Sequence, residues 1–166
     1  LNFSEAIFIN CNLRNIEGRL PDLPNESDAN LIIRINGQFV GKQLSEEDFK
    51  QLGKSLLLRS LILTGSTFDE DHLRYVAKPM LSSIDLSHTG VTDRGVQLLA
   101  TPTLVAIKLN STRTTDRGVE FLARSPLIET LHLSDTKISD ASMKAVARMT
   151  RLKELDVSNT AITDKG

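Results

Sequence analysis

The sequence predicts an α/β solenoid, in which a strand, a turn and a helix recur about every 24 residues. One apolar hexapeptide pattern occurs five times at nearly constant spacing. Four of its copies are followed by a hydroxyl–acid pair, and in three of these apolar residues at helical spacing come next. A period of this length indicates units that bury their apolar sides only by stacking against one another.

The strand of each unit is predicted from the hexapeptide, which is apolar at positions one, four and six. Positions throughout are counted from the first residue of this pattern. A less regular copy begins at Asn30, with Ile33 and Ile35 at positions four and six. We expect these three positions to face the helices and to form the core. The five regular copies begin at Leu58, Leu81, Leu104, Ile128 and Leu152, spaced 23 or 24 residues apart.

The helix of each unit is predicted from a start signal, an apolar pair and a stop signal. A hydroxyl at the N-cap satisfies an otherwise unpaired amide, and a carboxylate beside it suits the positive end of the helix. Ser45 with Asp48 predicts a capping box for the first helix. The other start signals are Thr92-Asp93, Thr115-Asp116, Ser139-Asp140 and Thr163-Asp164. The apolar pairs are Phe49/Leu52, Leu73/Val76, Val96/Leu99, Val119/Leu122 and Met143/Val146, and Pro79, Pro102 and Pro126 end three helices.

Two further columns of the repeat are predicted to be structural. A small residue follows each apolar pair, where neighbouring helices approach closely, beginning with Gly53. A threonine occupies position nine, where the chain leaves the sheet, and we expect its hydroxyl to bond the backbone of a neighbouring unit. These threonines are Thr89, Thr112, Thr136 and Thr160.

Residues 81–100 follow the pattern L-x-x-I-x-L-x-x-T-x-V-T-D-x-G-V-x-x-L-A, which resembles a leucine-rich repeat. The segment is similar to the cysteine-containing subtype with its "I-T-D-x-G-L" motif, found in F-box-associated and bacterial, planctomycete-like proteins. Threonine replaces the usual Asn or Cys at position nine. The resemblance implies a right-handed leucine-rich-repeat solenoid, with a parallel sheet on the concave side and helices on the convex side.

The resemblance divides the chain into two parts. Residues 30–166 form about six leucine-rich units, and the last unit is truncated where its helix starts. Residues 1–29 lack the helix signature, and we expect them to form an N-terminal capping segment that covers the first strand edge. A truncated last unit is compatible with a piece of a longer chain.

Composition argues against several classes of partner. The chain has 20 basic and 21 acidic residues, a formal net charge of −1 and 4% aromatic residues. Nucleic-acid and membrane-surface binders usually carry a basic excess, so neither partner is expected. The apolar runs are far shorter than a membrane span. The lone Cys11 leaves the compartment open, with a cytoplasmic location favoured, and no cofactor is expected.

The resemblance implies a non-catalytic protein-interaction or scaffold module that binds a protein partner on its concave face. Side chains at positions three, five and seven face this side of the sheet. Alternatively, the pairs Asp85–Lys108 and His132–Asp156 only satisfy each other on a mixed polar surface. A second functional hypothesis is the substrate-recognition arm of an F-box-type ubiquitin ligase. The candidate partner-binding residues are Arg34, Asp85, Lys108, His132, Asp156 and Glu154.

The residue types of a nucleophilic triad also occur on this face, as Ser134, His132 and Asp156. His132 and Ser134 lie two apart on one strand, side by side on a flat surface, and no pocket is indicated. The three histidines show no paired ligand spacing. The sequence therefore predicts neither catalytic residues nor a metal site.

Overall fold

The computed structural model describes residues 6–12, 30–36, 43–54 and 58–166, the first two ranges as strand backbone only. The strands are β1 (Ala6–Asn12), β2 (Asn30–Asn36), β3 (Gln43–Leu44), β4 (Leu58–Ile62), β5 (Thr67–Phe68), β6 (Ser83–Asp85), β7 (Ala106–Lys108), β8 (Thr130–His132) and β9 (Glu154–Asp156). The α-helices are α1 (Glu46–Lys54), α2 (Asp93–Leu99), α3 (Asp116–Leu122) and α4 (Met143–Val146). Within these ranges, two 3-10 helices span Glu70–Tyr75 and Asp140–Ser142.

One parallel sheet runs through the described units in the order β1-β2-β4-β6-β7-β8-β9. Each unit from β4 onward contributes one strand, and consecutive units lie side by side. Strands β3 and β5 form a separate two-stranded parallel sheet. The predicted α/β solenoid with a parallel sheet is confirmed.

The core lies between this sheet and the helices. In the units that begin at Leu81, Leu104 and Ile128, positions one, four and six are at most 2% exposed. The apolar pairs of α1, α2 and α3 are buried against them, as predicted. Each such side chain contributes about 1.5–3 kcal/mol by leaving water. Stacking therefore supplies the core that no single unit could form.

The last apolar pair differs from the prediction. Met143 and Val146 are only half-buried, and Ala145 is buried instead. The segment enters its helix through the 3-10 turn Asp140–Ser142. A 3-10 helix has about 3.0 residues per turn rather than 3.6, so the buried stripe is rotated along the segment.

The helix starts lie where the sequence predicts them. Ser45 and Asp48 form the capping box: the Ser45 amide donates to Asp48 Oδ2 at 2.8 Å, and the Asp48 amide donates to Ser45 Oγ at 3.3 Å. The hydroxyls of Thr92, Thr115 and Ser139 each accept the amide two residues further on at 3.3 Å. The three helices with a following proline end three or four residues before it.

The carboxylates beside these caps act differently from the prediction, because each one also caps the next unit. Asp93 accepts the Thr115 amide at 2.8 Å and its hydroxyl at 2.6 Å. Asp116 accepts the same two groups of Ser139 at 2.8 and 2.7 Å. We call this series the acid–hydroxyl ladder. Its rungs are Glu70–Thr92, Asp93–Thr115, Asp116–Ser139 and Asp140–Thr163.

The position-nine threonines bond within their own units, so the prediction of a bond to a neighbouring unit is wrong. Thr112 donates to the Leu109 carbonyl at 2.7 Å, and the other three threonines make the same bond to the residue three before them. The chain turns sharply between positions six and nine, which brings the position-six carbonyl within hydrogen-bond distance of the hydroxyl. These hydroxyls therefore hold the turn, and the ladder joins the units.

Replacing Thr112 by valine is expected to lower the free energy of unfolding by about 1–1.5 kcal/mol, since its buried hydroxyl bonds both Leu109 and Thr114. Urea unfolding of the variant measures this loss. Thr64→Val is the control, because Thr64 is half-buried and makes no hydrogen bond in the described residues. Equal stability of the two variants would contradict a role for the Thr112 hydroxyl.

Position eight of each of the five regular units adopts a left-handed backbone, which was not predicted from the sequence. The φ angles there lie between 53° and 68°. Such a conformation costs a non-glycine residue about 1–2 kcal/mol, and Gly, Asn and Asp tolerate it best. Three of the five residues at position eight are Gly, Asp or Asn, and this preference could have indicated the left-handed turn from the sequence. The residues are Gly65, His88, Ser111, Asp135 and Asn159.

The N-terminal region is described only in part. Strand β1 pairs in parallel with β2 along its whole length, from Ala6 beside Asn30 to Asn12 beside Asn36. Residues 1–5 and 13–29 lie outside the described residues, so the capping segment over residues 1–29 stays a prediction. No helix in the described part of the chain is long and apolar enough to cross a membrane.

Candidate functional site

The candidate site is the face of the sheet that points away from the helices. Position four is buried in β4, β6, β7 and β8, so the neighbouring positions three and five project to the opposite side. From β4 to β8 these side chains are half-buried, because short strands lie close together. We call this surface, made of positions three, five and seven, the concave face.

Strand register aligns position five of successive units into one row. Arg34 pairs with Ile62, Ile62 with Asp85, and Asp85 with Lys108. Lys108 pairs with His132, and His132 with Asp156. Glu154 lies in the adjacent row, beside Thr130 of position three. The six candidate residues therefore share one sheet face by register, and Arg34 is placed by its backbone alone.

Lys108 occupies the middle of this row without an ionic partner. No carboxylate in the described residues lies within ion-pair distance of its ammonium, although Asp85 is its register neighbour. Asp85 instead accepts the Ser87 amide at 2.9 Å through Oδ1. The Asp85–Lys108 pair considered in the sequence analysis does not form, because the aspartate turns toward its own strand end.

His132 contacts Glu154 rather than Asp156. Its Nε2 lies 2.8 Å from Glu154 Oε1, and its side chain is 14% exposed against 61% for the glutamate. The longer glutamate reaches diagonally across the strands, whereas the shorter Asp156 does not. The His132–Asp156 pair considered from the sequence therefore does not form, although His132 and Asp156 are register neighbours.

Asp156 is held by its own strand end. It accepts the Ser158 amide at 3.0 Å and the Ser158 hydroxyl at 2.6 Å through Oδ1. These bonds lower the pKa of Asp156 below its usual value, and the neighbouring His132 charge and Ser134 hydroxyl add to the effect. The carboxylate is therefore ionised at neutral pH.

A shared local motif fixes both aspartates and was missed in the sequence. In each case Asp at position five is followed by Ser at position seven, and the aspartate accepts the serine amide. The D-x-S spacing at Asp85–Ser87 and Asp156–Ser158 was the available signal. The motif holds each carboxylate in place on the face.

The triad residue types do not assemble into a relay. His132 is bonded to Glu154, and the Ser134 amide donates to Asn110 Oδ1 at 3.0 Å. In the described residues no hydrogen bond joins the Ser134 hydroxyl to the His132 ring, as a serine nucleophile would require. No group of three or more metal-ligating side chains occurs in the described ranges either.

A surface depression of about 350 Å³ lies on the helix side of the molecule, away from this face. It is formed between α1 and the 3-10 helix Glu70–Tyr75. Its lining residues are Glu47, Lys50, Gly53, Lys54, Tyr75 and Lys78.

The repeats match a known sequence family. A profile described as Leucine Rich repeat matches residues 77–100, 124–147 and 149–166. These segments contain the units that begin at Leu81, Ile128 and Leu152, so these three predicted leucine-rich repeats are confirmed. No curated protein matches the chain.

Two solved structures resemble the fold at low sequence identity. An internalin (inlF) from Listeria monocytogenes is 15% identical over 81% of this chain and 49% of that chain, with a TM-score of 0.45. TLR13 in its ssRNA13 complex is 18% identical over 66% of this chain and 20% of that chain, also with a TM-score of 0.45. The chain thus spans about half of the first protein and a fifth of the second.

Proposed function

Because the chain is a leucine-rich repeat protein, we propose that it is a non-catalytic protein-interaction module that binds a protein partner on its concave face. The observation that supports this most directly is the row of charged residues across four neighbouring strands. The row contains a lysine that has no ionic partner among the described residues and two aspartates held in place by their strand ends.

The side chains around this row favour close approach of a partner. Ser83, Ala106 and Thr130 at position three are small, so a partner's backbone can come near the sheet. The row lacks the aromatic anchors that dominate many tight interfaces. We therefore expect charge to govern recognition, with an affinity that falls as salt screens the contacts.

Substitution of Lys108 is the most direct test of whether a partner binds the concave face. A partner carboxylate bound to the ammonium of half-buried Lys108 would form an ion pair that no carboxylate in the described residues provides. Truncating or reversing one partner of such a charge pair costs about 2–5 kcal/mol of binding. Lys108→Glu is therefore expected to abolish partner capture.

The experiment compares captures from native lysate by the tagged 166-residue chain and its variants, quantified by mass spectrometry. Lys144→Glu is the matched control, because it makes the same charge change at an exposed residue of α4. A protein captured by wild type and Lys144→Glu, and lost with folded Lys108→Glu, supports the proposal. Identical captures by all three chains contradict it.

The recognition arm of an F-box-type ubiquitin ligase is the narrower alternative that the resemblance implies. It would use the same face for its substrate, so the capture experiment also identifies its occupant. Ubiquitin-ligase subunits among the captured proteins, retained by Lys108→Glu while a further protein is lost, would favour this alternative.

A further inference from the structure

The charges of the concave face are arranged in a definite order. From β6 to β9, position five presents a carboxylate at Asp85, an ammonium at Lys108, a ring at His132 and a carboxylate at Asp156. Glu154 lies against the His132 ring at 2.8 Å. Between Asp85 and Asp156 the row therefore contains Lys108, whose ammonium has no ionic partner in the part of the chain that the structure describes.

Each of the three charges can still bond a partner. Lys108 has three donors and no ionic partner in the described chain. Asp85 uses only Oδ1 for an internal hydrogen bond. Asp156 accepts the two Ser158 bonds through Oδ1, the Ser134 hydroxyl lies near its carboxylate, and the group stays ionised. A carboxylate oxygen accepts two hydrogen bonds, so both aspartates keep capacity for an incoming cation.

The spacing of the charges is unequal. Neighbouring strands lie about 4.8 Å apart, so the backbone positions of Asp85 and Lys108 are separated by one strand spacing and those of Lys108 and Asp156 by two. The three backbone positions span about 14 Å, which an extended segment covers with four or five residues. Because the spacing is unequal, a bound segment fits it in only one chain direction. The row therefore selects the direction of the segment as well as its composition.

Building on the proposed function, we propose that the partner presents a protein segment with the charge order cation, carboxylate, cation. The first cation binds Asp85, the carboxylate binds Lys108, and the second cation binds Asp156 with Glu154. The carboxylate lies nearer the first cation than the second. A polyanion such as nucleic acid would meet three carboxylates and one lysine, and is disfavoured.

The test is selection from a displayed library of random linear peptides on the immobilised 166-residue chain. Wild type and Lys144→Glu are expected to enrich peptides with Asp or Glu between two Lys or Arg residues. Lys108→Glu is expected to replace the preferred central acid by a Lys or Arg. Circular dichroism melting verifies that all three chains are folded.

A synthetic peptide from the wild-type selection then gives the size of the effect. We expect its Kd, measured by fluorescence anisotropy, to rise about tenfold or more on Lys108→Glu. A peptide with the central acid replaced by lysine is expected to regain affinity for that variant. The double replacement isolates the contact between the two charges.

Three outcomes would overturn the charge order: no enriched peptides, enriched peptides without this order, or the same central acid selected by Lys108→Glu. These outcomes are distinguishable from failure of the proposed function. If lysate capture depends on Lys108 while the peptides show no inversion, the concave face binds a partner but not by this charge order. If lysate capture does not depend on Lys108, the concave-face function itself fails.

Discussion

Replacing Asp116 by alanine is expected to lower the free energy of unfolding by about 2–4 kcal/mol, because one side chain supplies a whole rung of the ladder. Its carboxylate accepts the Ser139 amide at 2.8 Å, the Ser139 hydroxyl at 2.7 Å and the Ser142 hydroxyl. Alanine cannot accept hydrogen bonds through its side chain, so these three donors lose their acceptor at a half-buried helix start. Urea unfolding at pH 7 measures the loss.

The same variant has a predicted pH signature. Burial raises the pKa of Asp116, but the hydrogen bonds from Ser142 and Ser139 outweigh burial and hold it below the usual 3.8. A carboxyl whose pKa is lower in the folded than in the unfolded chain stabilises the folded state, and its contribution is complete at pH values above its unfolded pKa. That contribution is lost as the pH falls through the folded value. Asp116→Ala is therefore expected to weaken the decline in stability below about pH 4.

Asp164→Ala is the matched control for both measurements. Asp164 has the same place in its unit, next to the cap Thr163, but its carboxylate accepts no hydrogen bond in the described residues. The control is expected to change stability by less than about 0.5 kcal/mol. Equal losses in the two variants, or an unchanged acid decline in Asp116→Ala, would contradict the ladder's role.

Replacing Gly53 by alanine is the second large effect expected. A Cβ there would lie 2.3 Å from the Tyr75 carbonyl oxygen and 3.0 Å from its carbon, so backbone must shift. Overpacking of this kind costs about 1–3 kcal/mol or more, above the roughly 1 kcal/mol that alanine gains in a helix. We expect a net loss of about 2 kcal/mol, which lowers Tm by about 4–8 °C.

Gly90→Ala is the control, because no atom lies within 4 Å of the added Cβ at that turn. It is expected to leave the thermal melt within about 0.5 kcal/mol of wild type. A melt of Gly53→Ala that matches Gly90→Ala would show that α1 and Tyr75 adjust without cost.

Features set by short-range chemistry were predictable from the sequence. The buried positions of β6 to β8 follow from the repeat period, because alternation fixes which side of a strand a residue faces. Ser45 and Thr92 were identified as caps because their partners lie two or three residues away. The row from Asp85 to Asp156 followed from the same period.

Features that depend on the distance between units were not predictable. The sequence places Asp93 beside its own helix start, and only the stacking of the units brings it to Thr115. Likewise, register sets His132 opposite Asp156, but side-chain length decides that Glu154 reaches the ring. A period indicates neighbours, whereas rotamers and stacking distance decide which neighbour is bonded.

The acid–hydroxyl ladder has a consequence for how the number of units can change. Every rung joins an acceptor from one unit to the donors of its successor. Each full unit therefore supplies the donors of one rung and the acceptor of the next. Copying or deleting a whole period therefore recreates a matched junction from residues already present. Insertions of other lengths separate an acceptor from its donors. The ladder makes tandem duplication in steps of one unit the tolerated route for this array to grow.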